Sequence, residues 1–175
     1  MNKQTIVNSL SNNYRSFIKY INELTTDEYL YSFQQKWTAG QQLEHIVLCL
    51  KPLVQVFSLD KLIIEQNFGR TDRQNRTYEI LLDNYLEKLN GGGKAPERFV
   101  PETISQNQRE VLSEILIKLV QDLCFKIDSF TEKELDSLLI PHPLLGNLTL
   151  REMLYNAIYH VTHHQKLTEE NLKHQ

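Results

Sequence analysis

The sequence predicts an all-α protein: a four-helix bundle with a long crossover connection and a short extra helix. Three observations predict it. Apolar residues recur at steps of three and four along most of the chain. Ser/Thr-x-x-Glu/Gln signatures stand in front of several of these stripes. No segment of useful length alternates strictly between apolar and polar residues, so there is little case for a sheet.

Ile6, Leu10, Tyr14, Phe17, Ile21 and Leu24 form the stripe of a first helix, one face of which is buried. A second helix is announced at Thr38-Ala39-Gly40-Gln41, where the Thr side chain can cap the first turn while Gln41 reaches back to the cap. Pro52 lies inside that pattern and forfeits one backbone hydrogen bond, so the helix is expected to kink there and resume through Ile63 and Ile64. Asp72 is the expected cap of a third helix carrying Tyr78, Leu81, Leu82, Tyr85 and Leu89, which ends at Gly91-Gly92-Gly93. Beyond the crossover, Ser105-Gln106-Asn107-Gln108 opens a long helix with Leu112, Ile115, Leu116, Leu119, Leu123 and Ile127 facing inward. Thr131-Glu132-Lys133-Glu134 starts the short extra helix. "IPHPLLGN" then interrupts, and Thr149-Leu150-Arg151-Glu152 opens the last helix.

At 175 residues the chain suits one domain, residues 1–175, large enough to bury a core without a disulfide. Cys49 and Cys124 lack CxxC spacing and sit in apolar segments, as reduced core thiols of a cytoplasmic protein would. A net charge of −3 offers no basic field for a phosphate backbone, so nucleic acid is not an expected partner. Neither a signal-like apolar stretch nor a membrane-length run is present, so no membrane partner is expected either.

Three of the six histidines fall within "NAIYHVTHHQKL". On a helix His160 and His164 share one face, in a row with Glu152 and Asn156, while His163 points elsewhere. His45, on the second helix, is the only other histidine inside a strong helical pattern. Side chains from facing helices of a bundle can converge on one cation, and three histidines with an open position suit a catalytic zinc-like site. Nickel, iron or cobalt accept the same donors. The spacing also arises by chance, and there is no HExxH glutamate, so hydrogen-bonded or surface histidines would account for it as well.

The stretches "KWTAGQQLEHIVLCLKPL", "GGGKAPERFVP" and "HPLLGNLTLREMLYNAIYHVTHHQ" resemble, in order and over most of the chain, the DinB-like (YfiT-like) superfamily. That resemblance implies a four-helix bundle and a divalent metal, zinc or nickel before iron or cobalt, held by His45, His160 and His164. It further implies an enzyme of the thiol S-transferase type acting on a small-molecule substrate with a low-molecular-weight thiol, with a metal-dependent hydrolase as the alternative. A metal-stabilised binding or stress-associated protein without catalysis is the third reading, and a homodimer is one assembly open to it.

Other residues carry two readings. Glu152 and Asn156 could orient a ligand imidazole from behind, although Glu152 is already explained by its capping box. Cys49, one turn after His45, is a fourth ligand, a reactive thiol or plain core. His142 between two prolines reads as turn-shaping rather than metal-binding, and Trp37 as packing at the start of its helix rather than recognising substrate. The 90–101 segment reads either as a crossover linker or as a cover, through Phe99, Val100 and Pro101, for the metal mouth or a bundle end. Neither a GxSxG elbow nor a Ser/His/Asp order is present, so the metal would be the reactive centre.

Overall fold

A computed structural model describes residues 1–175. The long helices are α1 (Lys3–Glu23), α3 (Ala39–Phe57), α6 (Arg109–Ile127) and α8 (Leu150–Leu172). Shorter ones are α2 (Thr26–Leu30), α4 (Lys61–Phe68), α5 (Tyr78–Asn90) and α7 (Glu132–Ser137), and two strands, β1 (Leu139–His142) and β2 (Gly146–Thr149), form a hairpin. Both α6 and α8 pack against both α1 and α3, so α1 lies diagonal to α3 and the four long helices enclose one core. The chain reaches α6 from α5 through the long 91–105 connection, the crossover expected from the glycine-rich break. No helix is long and apolar enough to cross a membrane.

Local signals set the boundaries. Reciprocal capping boxes are formed at Thr38/Gln41, Ser105/Gln108, Thr131/Glu134 and Thr149/Glu152, each satisfying amides that would otherwise lack partners. The stripe of α1 is buried as expected from Ile6 to Ile21. On α6 the buried face is Ser113, Leu116, Val120, Leu123 and Ile127; Ile115, expected inside, is 41 % exposed. The apolar band of this helix is wider than the face its neighbours cover, so sequence periodicity alone leaves its centre undetermined.

Three expectations are corrected. Pro52 lies within α3, but the helix does not run on to Ile64: it ends at Phe57, where the Ser58 amide turns back to the carbonyls of Gln55 and Val56 and the Asp60 side chain caps α4. Thr77, not Asp72, caps α5, because residues 69–77 are held away from helical geometry by contacts to α7, β1 and α8. The interruption before α8 is a two-stranded hairpin that pairs Leu139 with Thr149 and Ile140 with Leu148. Its turn uses Gly146 at φ +71 and the His142 imidazole, whose Nδ1 accepts from the Leu144 and Leu145 amides at 3.1 and 3.2 Å. Four-residue strands are too short for alternation to register in the sequence.

Candidate metal centre

The capping box at Thr38 starts α3 such that His45 falls on its inward face, and the box at Thr149 does the same for His160 and His164 on α8. Their rings meet between the two helices. His160 Nε2 lies 3.3 Å from His45 Nε2 and 3.0 Å from His164 Nε2. A donor atom from each of the three lies within 4.8 Å of the others, and no fourth His, Cys, Asp or Glu belongs to this group.

The outer nitrogens explain the orientation. His45 Nδ1 is 2.6 Å from the Phe99 carbonyl oxygen, and His164 Nδ1 meets the side-chain oxygen of Gln42. Both oxygens only accept, so each Nδ1 carries the ring proton and each Nε2 presents a lone pair inward. His160 Nε2, even if protonated, donates to only one of them. Burial pushes all three imidazoles below their usual pKa, His160 and His164 furthest, so protons do not relieve the crowding. Three converging neutral nitrogens with too few protons are a donor set for a divalent cation. Two imidazoles each about 2.1 Å from one ion would be roughly 3.0 Å apart at a right angle and 3.4 Å at a tetrahedral one, which brackets the observed separations.

Gln42 and the Phe99 carbonyl were not read from the sequence. Gln42 had a signal, standing three residues before His45 on the same helical face; a backbone carbonyl has none. Glu152 does not hydrogen-bond any of the histidines. It is fully buried, and its carboxylate accepts from Arg73 at 2.7 and 2.5 Å, from the Arg76 amide at 2.9 Å and from the Thr149 amide at 3.1 Å. Asn156 is buried beside the cavity next to His142 rather than behind a member of the trio.

Cys49 Sγ is 3.5 Å from His45 Nε2 but stands outside the three-donor group, and burial pushes its thiol up to about 12. His163 is not in the group and stacks on Tyr159 with centroids 5.8 Å apart, although it also reaches the cavity wall. Gln165 donates to Glu169 at 2.9 Å, and His174 stacks on Phe33 at 4.1 Å, far from the trio along the chain.

The trio opens onto a cavity of about 340 Å³, near the lower end of the roughly 300–1,000 Å³ usual for small-molecule sites. The 91–101 segment forms one wall through Lys94, Pro96, Arg98 and Phe99, so it is more than a linker. Trp37 also lines the cavity, tilted against the His45 ring at 5.0 Å between centroids, rather than serving only to pack a helix start. A family model described as the DinB superfamily matches residues 9–167. No curated protein and no solved structure gives a significant match.

Proposed function

The chain belongs to the DinB superfamily, and from that premise we propose that it is a metal-dependent enzyme working through His45, His160 and His164, a transferase that uses a low-molecular-weight thiol. The observation that carries the reading is the pair of fixed tautomers, which turn two lone pairs onto the same point as His160 Nε2 and leave no fourth protein donor in the group. When bound, a divalent cation supplies a Lewis-acidic open position at which a thiol or a water loses its proton more readily.

The residues of the chain do the rest. Gln42 and the Phe99 carbonyl keep the Nδ1 protons of His164 and His45 in place, so the inward nitrogens stay available without reorganisation. Trp37 and Phe99 wall the reacting point and limit water. In the transfer, the thiol sulfur bonds to the electrophilic carbon, the leaving group departs with the electron pair, and the thiol proton passes to solvent. The same arrangement serves a hydrolase if water takes the thiol's place.

A metal-stabilised bundle without catalysis would close its fourth position with protein. Cys49 is the neighbouring thiol, and its place outside the donor group disfavours that rival. The test is turnover of an electrophilic dye with a panel of small thiols. His160→Ala should abolish it while the helical circular dichroism persists, because the apolar faces hold the bundle. A folded His160→Ala protein turning over at the wild-type rate would refute the mechanism.

A further inference from the structure

The cavity extends well beyond the imidazoles. Leu50 and Leu53 of α3, Phe68 of α4, Leu89 of α5 and Ile140 of β1 give it apolar walls. Such a surface favours a ligand with an apolar body, since only that body removes it from water.

Charge selects further. No aspartate or glutamate lines the cavity, although the chain carries 22 acidic residues and a net charge of −3. Lys94 and Arg98 are the permanently charged side chains in the lining. Both belong to the 91–101 segment, both are exposed, and neither engages in an ion pair. The Arg98 guanidinium lies 4.8 Å above the Phe99 ring, which holds it beside the wall that Phe99 forms.

Tyr85 is the independent sign of a ligand. It is 6 % exposed and lines the cavity, its ring 6.4 Å from that of His160. Its phenol has no hydrogen-bond partner in the protein and its oxygen is not sealed off, and the residue lines the cavity. A buried phenol without a partner is a donor waiting for an acceptor.

An apolar, acid-free cavity with two free cations at its loop wall and an unused phenol donor near the imidazoles fits an amphipathic anion. We infer that the substrate is a carboxylic acid with an extended apolar chain that carries, away from the carboxylate, the electrophilic carbon and leaving group of the transfer, a reading that deepens the metal-site proposal and rests on it for the chemistry. The chain lies against Leu50, Leu53, Phe68 and Ile140, the carboxylate faces Lys94 and Arg98, and the Tyr85 hydroxyl donates to the polar group nearest His160.

The 175-residue chain supplies its own reporter, since Trp37 is its single tryptophan and stands in the cavity wall. The experiment titrates octanoate, octanol and octylamine into the chelator-treated protein, read by Trp37 emission and by calorimetry, with zinc titrated separately. Octanoate should bind about tenfold tighter than octylamine, and the Lys94→Glu/Arg98→Glu variant, altered only at exposed side chains, should invert that order. Equal or tighter binding of octylamine to the wild type, unchanged preference in the charge-reversed variant, or no binding of any of the three to folded protein would overturn the inference. Octanoate binding without zinc binding sinks the metal reading alone. Zinc binding without octanoate binding sinks the substrate class alone.

Discussion

Gln42 holds the Nδ1 proton of His164, and with it the direction of the inward lone pair. Gln42→Leu leaves that N–H buried without a partner, at a cost of about 1–3 kcal/mol, and should lower metal affinity by roughly 10–100-fold with little loss of helix. A competition titration against a chelator measures this, and wild-type affinity in the variant would remove Gln42 from the site. His142 makes a separate prediction. Burial lowers its pKa from 6.5 to about 4, against a partly opposing hydrogen bond that the ring donates to Asn156. Between those two values the unfolded chain binds a proton that the folded chain refuses, so His142 costs stability as pH falls through this window, approaching about 3 kcal/mol near its lower end. His142→Asn keeps an acceptor for the turn amides and should flatten the decline in unfolding free energy between pH 6.5 and 4. A decline as steep as the wild type's would show that other groups carry it.

At the scale of elements, the start of α3 is set by close packing as much as by its cap. A Cβ on Gly40 would meet Ile104 Cγ2 at 2.8 Å and the Tyr29 ring at 2.8 Å. Gly40→Ala gains up to about 1 kcal/mol of helix propensity, but overpacking costs typically about 1–3 kcal/mol. The variant should therefore unfold at lower denaturant concentration, and a stabilised variant would mean that Tyr29 and Ile104 yield easily. The capping boxes and apolar stripes made most helix starts legible in the sequence, and they placed His45 and the His160/His164 pair on facing helices. What stayed hidden acts across long separations or through the backbone. The sequence around Asp72 reads as a helix cap because nothing nearby reveals the tie to Glu152. The hairpin at Leu139–Thr149 is too short to show a period, and the Phe99 carbonyl would be the same for any residue type.

Across the whole molecule, Glu152 fastens the extended 69–77 segment to the start of α8 through Arg73 and the Arg76 amide. Burial alone would raise its pKa, but the hydrogen bonds from Arg73 and from the Arg76 and Thr149 amides outweigh this and hold it below the ordinary 4.5. The stabilisation is thus complete above that unfolded value and is lost as pH falls through the lower folded one. Glu152→Gln keeps the cap but leaves the partly exposed Arg73 without its carboxylate, and should cost about 1–3 kcal/mol at neutral pH. The gap between variant and wild type should shrink well below pH 4.5; a gap independent of pH in chemical denaturation would mean that the charge is irrelevant. The central claim concerns the three imidazoles, and metal stoichiometry tests it most directly. The 175-residue chain equilibrated with zinc or nickel and freed of excess ion should retain one ion per chain, while folded His160→Ala retains close to none. A wild-type protein that retains no ion, or a His160→Ala protein that retains as much as the wild type, would contradict it.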